Sequence, residues 1–583
     1  IHFNEKYCTC ILEMCIIGCT FAHKISICAM DKASSFNLLL EQAIIKNWEK
    51  DALTDYKGAT LQYHDVARKI EKLHIMFESS GVCKGDKIAL CGRNSSSWAC
   101  AFLAIVTYGA IVVPVQHEFK PEQVYNVVNH SESKLLFVGD VVSTTLDYNM
   151  MPNLEGVIYI PDYSLVVSNS EKLTYAREHL NEMFGHKYPK YFRKEHVKYH
   201  KDQPEELIMI NYTSGTTGFS KGVMLPYRSV WSNIDFLIDE LGSKLPANSR
   251  VLDILPMAHM YGLVCEFLLQ FVLGNHLFFL TRLPSPTVIQ EAFIEIRPDV
   301  IISVPLIVEK IVRKLVFPKL NNNRVKLLMK MPGINKKVKE HMLKTVMDVF
   351  GGKAFEVVVG GAGLNREVEE FLTSIHFPIT MGYGTTETGP LITFSNYDNF
   401  VGGSCGTPVK HMEVRIASND PENEAGEIIT RGLNVMKGYY KNEQATQAVI
   451  DENGWFHTGD LAKMSKDGHV FILGRIKNML LGSNGQNVYP EEIEDKLNSM
   501  AMVNESLIIQ KGDKLVGLVH PDMHEAESLG FTEDDLRNIM EQNRKELNNL
   551  LPSFCKISEI RLQAEEFEKT PKKSIKRYLY KEA

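Results

Sequence analysis

The chain lacks the composition of a disordered, fibrous or disulfide-stapled protein. Its 583 residues are 44% hydrophobic and 23% charged, which are the proportions of folded globular domains. From the length alone we expect about four domains, or fewer large ones. Basic residues are not in excess, since 64 Lys and Arg stand against 71 Asp and Glu. The net charge of -7 therefore excludes a general electrostatic attraction to nucleic acid or to an anionic membrane.

Cysteine pairs with zinc or redox spacing are also missing. Five of the eleven cysteines precede residue 30, and no CxxC pair occurs. We expect reduced thiols in a cytosolic protein.

Residues 1–29 are predicted to be an upstream extension or a translation artefact. Their apolar stretch is too short for a membrane span and is a poor signal peptide, and a membrane-contacting tail is the alternative.

One long apolar run needs an interpretation. Trp98–Val115 has the length of a transmembrane helix, but Gly109 interrupts it and β-branched residues follow. We predict a buried helix, a glycine turn and a buried strand, because strands of parallel sheets have continuous apolar sequences. The shorter run Phe267–Leu280 is likewise predicted to lie in the core.

The order of the predicted elements favours an α/β fold. Apolar, β-rich strings such as Lys87–Cys91, Val300–Val304 and Phe355–Val359 alternate with amphipathic stretches such as Tyr63–Glu78. This alternation is typical of mostly parallel sheets flanked by helices.

The pattern of predicted secondary structure changes after about residue 402, where short strands follow one another between glycine-rich turns. We predict a β-rich subdomain there, and a small mobile α+β domain at the C-terminal end. The predicted division is residues 1–29, a large nucleotide-binding domain of residues 30–475, and a C-terminal domain of residues 476–583.

A loop rich in Gly, Ser and Thr follows the predicted strand Leu207–Ile210. The sequence from Asn211 to Gly222 is NYTSGTTGFSKG. Between a strand and a helix, such a loop can direct backbone N–H groups and hydroxyls to phosphate oxygens, and its lysine adds a cation. It is not a Walker loop, because Gly215 and Gly218 are three apart and no Gly-Lys-Ser/Thr follows. We predict a phosphate-binding loop.

Two further segments carry side chains suited to a nucleotide. In Met381–Glu387, Tyr383 offers a flat ring to a base and Thr386 a hydroxyl to a phosphate. Glu387 offers the hard oxygen that Mg²⁺ prefers beside substrate phosphates. In Gly454–Asp460, the last carboxylate can accept from both hydroxyls of a ribose. Each segment alone is equally compatible with an ordinary turn.

A fourth segment, Gly474–Glu494, contains another polar, glycine-rich loop. Together and in this order, the four segments resemble those of the adenylate-forming superfamily, most closely the long-chain fatty acyl-CoA synthetases. The resemblance covers about Phe36–Arg577. It includes Pro256–Gly262, Gly360–Leu364 and the stretch Glu424–Asp460.

The resemblance implies Mg²⁺ as cofactor, ATP and coenzyme A as substrates, and roles for the matching residues. The phosphate loop is matched by Thr213, Ser214, Gly215, Thr216, Thr217, Gly218 and Lys221, the adenine pocket by Gly361, Ala362 and Tyr383, and the ribose contacts by Asp460 and Arg475. The phosphate and metal contacts are matched by Thr386 and Glu387, with Thr217 as a second metal contact, the acyl carboxylate site by His259, the hinge by Lys477, and the pantetheine channel by Gly485.

The sequence departs from the family near its C-terminal end. Members usually place one lysine there for the first reaction step, and the matching position holds Ser574. A hydroxyl cannot supply a cation. We expect Lys573 to take this role, with Lys572, or no lysine, as the alternatives.

The implied reaction has two steps, in which an acid and MgATP give acyl-AMP and pyrophosphate, and coenzyme A then displaces AMP. A long-chain fatty acid is the expected substrate, with medium-chain or aromatic acids as alternatives. Leu263, Phe267, Val304 and Leu306 either line the acyl site or belong to the core. Two other hypotheses remain. The enzyme transfers the acyl group to a carrier protein, or the protein binds nucleotide without catalysing a reaction. The expected partners are small molecules, with a weak peripheral membrane contact left open.

Overall fold

The structure, a computed structural model, describes residues 35–213, 221–246, 248–281, 285–317, 335–481, 487–512, 514–569 and 575–580. The predicted N-terminal extension, residues 1–29, lies outside the described residues.

The strands, in chain order, are β1 Asp51–Asp55, β2 Thr60–Gln62, β3 Lys87–Cys91, β4 Ile111–Val115, β5 Leu135–Val138, β6 Gly156–Tyr159, β7 Leu165–Ser168, β8 Leu207–Thr213, β9 Lys221–Pro226, β10 Arg250–Asp253, β11 His276–Phe279, β12 Val300–Ser303, β13 Glu356–Gly360, β14 Ile379–Gly384, β15 Leu391–Phe394, β16 Thr407–Pro408, β17 Met412–Ala417, β18 Gly426–Gly432, β19 Gly438–Tyr439, β20 Phe456–Met464, β21 Val470–Arg475, β22 Leu480–Leu481, β23 Asn487–Val488, β24 Val503–Lys511, β25 Lys514–Pro521 and β26 Ile557–Leu562.

The α-helices are α1 Phe36–Lys46, α2 Tyr63–Ser80, α3 Ser96–Tyr108, α4 Pro121–Ser131, α5 Asp140–Ser143, α6 Glu171–Glu178, α7 Leu180–Lys187, α8 Tyr227–Leu237, α9 Leu269–Leu273, α10 Pro286–Ile296, α11 Pro305–Ile311, α12 Asn335–Val349, α13 Arg366–Ser374, α14 Glu443–Gln447, α15 Pro490–Asn498, α16 Met523–Leu529 and α17 Glu533–Leu550. Three π-helical segments, Ile238–Gly242, Gly262–Leu268 and Val312–Val316, adjoin helices of this set.

Parallel strands form the centre of the molecule, as the sequence predicts. Within the described ranges, the largest sheet has the order β19-β9-β8-β4-β3-β5-β6-β7, with β4, β3, β5 and β6 parallel. A second sheet, β12-β13-β14-β15-β16, has a parallel half from β12 to β14. A third has the order β10-β11-β1-β2.

The apolar run Trp98–Val115 folds as predicted. Helix α3 ends at Gly109, which has a left-handed φ of 90°, and β4 follows inside the main sheet. Phe267 packs against Phe102 and Phe279 in the main core. Over the residues that the structure describes, no helix combines the length and the apolar character needed to cross a bilayer.

The C-terminal third begins with the predicted β-rich subdomain. Strands β17, β18, β20 and β21 form an antiparallel sheet. A smaller α+β part follows, in which β24, β25 and β26 carry helices α15 and α17 around a core of their own. The fold class is confirmed. The boundary near Arg475–Lys477 stays a prediction.

Candidate active site

The carboxyl ends of two parallel strands form one wall of the site. Strands β13 and β14 pair so that Gly360 lies beside Gly382. The predicted adenine-pocket residues therefore emerge side by side, with Gly361 and Ala362 on one strand end and Tyr383 on the other. Gly361 has a φ of 90°, a conformation that favours glycine. This is the edge at which open α/β sheets place their ligands.

Tyr383, Asp460 and Arg475 form a hydrogen-bonded group on this wall. The Tyr383 hydroxyl donates to Asp460 Oδ2 at 2.6 Å, and Arg475 Nε lies 2.9 Å from Asp460 Oδ1. Asp460 and Arg475 are directly paired on β20 and β21. Burial raises the pKa of Asp460, Arg475 opposes that shift, and the charge of Glu387 adds to it. Asp460 and Glu387 therefore lie in one electrostatic environment.

The turn after β14 carries the predicted phosphate and metal residues. A Cβ at Gly384 would stand 1.8 Å from the Pro390 carbonyl oxygen, so only glycine fits there. The following turn, Thr386–Thr388, is a single 3₁₀ segment in which Thr386 is buried. Glu387 is partly exposed. The close approach at Gly384 thus holds the backbone at the start of the turn that carries Glu387.

A tyrosine joins Glu387 to the base of the predicted phosphate loop. The Tyr439 hydroxyl donates to Glu387 Oε1 at 2.9 Å. The ammonium of Lys221 lies over the ring of the same tyrosine, 4.6 Å from its centroid. Burial, and then the nearby Glu387 charge, raise the pKa of the Tyr439 phenol, so the hydroxyl stays protonated and donates.

The phosphate loop stands on a β-hairpin. Thr213, the last residue of β8, pairs with Lys221, the first residue of β9. The chain therefore continues from the loop into a strand, and the helix expected after it begins only at Tyr227. Val223 and Leu225 are buried and Met224 between them is half-buried, which fits a strand inside the sheet. Ser214, Gly215, Thr216, Thr217 and Gly218 lie outside the described residues.

His259 lies on a segment that reaches the same wall. The Tyr261 N–H donates to His259 Nδ1 at 3.4 Å. The Tyr261 hydroxyl bonds to the carbonyl oxygens of Ser303 and Val358, at 3.3 and 3.2 Å. A Cβ at Gly360 would stand 3.0 Å from the Tyr261 ring. The tyrosine thus fastens this segment to β12 and β13.

Two buried acids, Asp253 and Glu266, make hydrogen bonds at the start of the segment that carries His259. The Glu266 carboxylate accepts from the N–H groups of Ile254 and Leu255, at 3.2 and 2.9 Å. Asn94 donates to Asp253 at 2.5 Å. Both acids are fully buried, and burial raises the pKa of each. The charge of Asp253 adds to the rise in the pKa of Glu266.

The predicted acyl-lining residues fall into two groups. Leu263 and Phe267 are completely buried in the main core. Val304 and Leu306 are partly exposed, and Val304 is the nearest side chain to Gly361, 3.9 Å from a Cβ built there. Of the four, Val304 is the residue that the structure places beside the adenine wall.

The predicted hinge is connected to the C-terminal part by Glu491. Lys477 itself is exposed on the 3₁₀ segment after β21. Its neighbour Asn478 donates to Glu491 at 2.6 Å, and Arg577 lies 3.7 Å from the same carboxylate. Arg577 also pairs with Glu494, whose pKa burial raises to about 7.

The segment that carries Lys573 is flanked by two residues that pair with each other. Lys569 and Ile575 form an antiparallel bridge, and Lys573 lies between them, outside the described residues. Gly485, between β22 and β23, also lies outside them. The roles predicted for Lys573, Gly485 and the phosphate loop therefore stay predictions.

The structure brings together most of the predicted nucleotide residues that it describes. Lys221 and Glu387 meet through Tyr439, and Tyr383 meets Asp460 and Arg475. The sequence prediction missed Tyr439, although it lies in the Glu424–Asp460 stretch that resembles the family. It also missed Tyr261, which lies in the Pro256–Gly262 stretch that resembles the family, two residues after His259.

Comparison with known proteins identifies the family. The AMP-binding enzyme family matches residues 40–440. A long-chain-fatty-acid–CoA ligase of Escherichia coli O157:H7 is 28% identical over 491 residues, covering 80% of this chain and 81% of that protein. The 4-coumarate–CoA ligase CCL1 of Humulus lupulus is 26% identical over 497 residues and covers 82% of each.

A solved structure supports the fold. The ATP-bound MatB of Rhodopseudomonas palustris superposes with a TM-score of 0.70 at 21% identity, over 94% of this chain and 99% of that chain. Because the family matches well over half of the chain, and the relatives are acid–CoA ligases, the protein belongs to the AMP-binding enzyme family and is an acid–CoA ligase of the acyl-CoA synthetase type.

Proposed function

We propose that the protein is a long-chain fatty acid–CoA ligase that activates its acid through acyl-AMP. The observation that carries the acyl-AMP part of this proposal is that two groups meet at the carboxyl end of β14, which supplies Tyr383 and, in the turn that follows, Glu387. Lys221, Tyr439 and Glu387 form the first group. Tyr383 and Asp460, with Arg475, form the second.

Each group suits one part of ATP. A carboxylate has about four lone-pair sites, and Asp460 uses two of them for Tyr383 and Arg475. The remaining sites can accept from the two ribose hydroxyls. Lys221 presents an ammonium at the base of the phosphate loop, where it offsets phosphate charge.

The residues present fit a magnesium ion. Glu387 offers a partly exposed carboxylate with one oxygen oriented by Tyr439, and Mg²⁺ binds through one or two carboxylates together with substrate phosphates. Glu387 would hold the ion, with Thr217 as the second contact implied by the family. When bound, the ion supplies charge neutralisation to the phosphates.

The reaction needs no nucleophile from the protein, because the acid's own carboxylate attacks the α-phosphate and pyrophosphate leaves. The protein has to hold two anions in contact and spread their charge. We assign the additional cation for this step to Lys573. Coenzyme A then attacks the acyl carbon, and AMP leaves with the oxygen that the acid supplied.

An aromatic acid is the second candidate substrate. The burial of Leu263 and Phe267 in the main core favours a short acyl site, and a 4-coumarate ligase matches as well as a fatty acid ligase does. The chain-length assignment rests instead on the resemblance of the segment from Val304 to the fatty acid enzymes.

The release of AMP in the presence of coenzyme A tests the proposal. Acetate, octanoate, palmitate, oleate and 4-coumarate are compared at equal concentrations with saturating MgATP. We expect the highest kcat/KM with palmitate or oleate. A maximum with 4-coumarate would select the second candidate. If none of the acids in the series supports AMP release, both candidates are rejected.

A further inference from the structure

Tyr439 stands between two opposite charges. Its hydroxyl donates to Glu387 Oε1, and its ring lies under the Lys221 ammonium. Among the residues that the structure describes, Lys221 and Glu387 make no ion pair with each other, and no side chain or N–H donates to Glu387 Oε2. The tyrosine therefore contacts both charged groups.

The backbone on both sides fixes this tyrosine. Strand β19 pairs with β9, so that Tyr439 lies beside Val223, two residues from Lys221. The Met436 N–H donates to the Glu387 carbonyl oxygen at 2.8 Å. The Tyr439 N–H donates to the Thr446 hydroxyl at 2.9 Å. The ring is thus anchored to the two chain segments that carry the charges.

We infer that Tyr439 is a positioning residue that keeps the Lys221 ammonium and the Glu387 carboxylate apart, so that both remain available to the phosphates and the metal of a bound nucleotide. The inference rests on the proposed function. A flexible lysine and a glutamate this close to one aromatic ring would otherwise form an ion pair. That pair would have to be broken each time MgATP binds.

The hydroxyl and the ring have separable effects. The hydroxyl orients Glu387, so its loss in Tyr439→Phe weakens the metal contact and leaves the ring under Lys221. Tyr439→Leu removes the ring as well and allows Lys221 to pair with Glu387. The second variant therefore loses affinity for the metal and for the phosphates.

Tyr440 provides a matched control. Its hydroxyl also donates to a glutamate, Glu132, at 3.0 Å, and it lies one residue further along the same segment. Tyr440→Phe therefore removes the same kind of hydrogen bond without touching the site. A merely structural role of Tyr439 predicts that the two Phe variants behave alike.

The experiment titrates ATP into the full-length protein by calorimetry at a series of Mg²⁺ concentrations, with thermal melting as a check of folding. We expect Tyr439→Phe to raise the Mg²⁺ concentration for half-maximal ATP binding about tenfold, the value of one charge-assisted hydrogen bond. Tyr439→Leu raises it further and also weakens ATP binding at saturating Mg²⁺. Tyr440→Phe changes neither.

A double-mutant cycle isolates the separation of the charges. In the Glu387→Gln background, Tyr439→Leu should weaken ATP binding by less than about twofold, because the glutamate that would capture Lys221 is gone. An equal effect of Tyr439→Leu in both backgrounds would overturn the inference, as would equal Mg²⁺ dependence of the two Phe variants. If Tyr439→Leu does not fold, the comparison of the two Phe variants decides.

Pyrophosphate–ATP exchange by the wild-type protein separates this inference from the proposed function. Absence of exchange with every acid would refute the proposed function. The calorimetric comparison would still decide whether Tyr439 positions the two charges.

Discussion

Replacement of Asp460 by asparagine tests the assignment of the ribose site. Asp460 is 4% exposed and accepts from Tyr383 and Arg475. Asparagine keeps an acceptor for the Tyr383 hydroxyl. The Arg475 side chain is 63% exposed, so the lost ion pair costs under about 1 kcal/mol. The free energy of unfolding should therefore fall by only about 1 kcal/mol.

The effect on nucleotide binding should be larger. A hydrogen bond to a charged group contributes about 1.5–3 kcal/mol, so losing the charged acceptor weakens MgATP binding roughly 10- to 150-fold. Calorimetric titration with MgATP and thermal melting measure the two effects. Asp467→Asn is the control. This exposed aspartate in the turn between β20 and β21 is also hydrogen-bonded, to Ser465 and His469, and its replacement should leave MgATP binding unchanged. A folded Asp460→Asn protein with wild-type affinity for ATP would refute the assignment.

Three further variants test other parts of the account. Lys573→Ala should slow acyl-AMP formation at least tenfold and leave thioester formation from supplied acyl-AMP nearly unchanged, as a lost cationic contact implies. Equal slowing of both steps would contradict the role. Lys572→Ala tests the alternative, and a selective loss of the first step in that variant would assign the role to Lys572. Glu387→Gln should raise the Mg²⁺ requirement of pyrophosphate–ATP exchange about tenfold or more, and an unchanged requirement would count against a metal contact. Burial raises the pKa of Glu356 to about 7 from about 4.5, so the folded state holds this proton more tightly than the unfolded chain, and wild-type stability falls as the pH rises between these values. Glu356→Gln removes that loss. Denaturant unfolding should therefore give a stability difference in favour of the variant that is near zero below pH 4.5 and grows to about 3 kcal/mol above pH 7. A difference independent of pH would contradict the raised pKa of Glu356.

Most of the strands could be predicted from the sequence because buried parallel strands have continuous apolar sequences. The predicted string Lys87–Cys91 coincides with β3, and Val300–Val304 and Phe355–Val359 overlap β12 and β13. Tyr63–Glu78 lies within helix α2. These elements follow from local periodicity and composition alone.

The site could be predicted only in part, because its partners are far apart in the sequence. Tyr383 and Asp460 were each predicted from a motif, but their hydrogen bond joins residues 77 positions apart. Tyr439 contacts Glu387 and Lys221 because β19 adds to the edge of the main sheet. No local pattern predicts that addition. The strand after the phosphate loop was missed since Lys221–Pro226 is short and contains glycine and proline.

The acyl site was the least predictable part. Leu263 and Phe267 have the same apolar character whether they line a tunnel or fill a core, and the structure buries them in the core. The acidic pair of Asp253 and Glu266 could not be predicted either. Two carboxylates in an apolar stretch become partners only when their strand and helix pack together.

The fate of the acid's oxygen tests the central claim most directly. A fatty acid labelled with oxygen-18 in its carboxylate is converted in the presence of MgATP and coenzyme A, and the nucleotide and phosphate products are analysed by mass spectrometry. Attack of the carboxylate on the α-phosphate predicts one labelled oxygen in each AMP released and no label in pyrophosphate. Label in inorganic phosphate or pyrophosphate, or unlabelled AMP, would contradict activation through acyl-AMP.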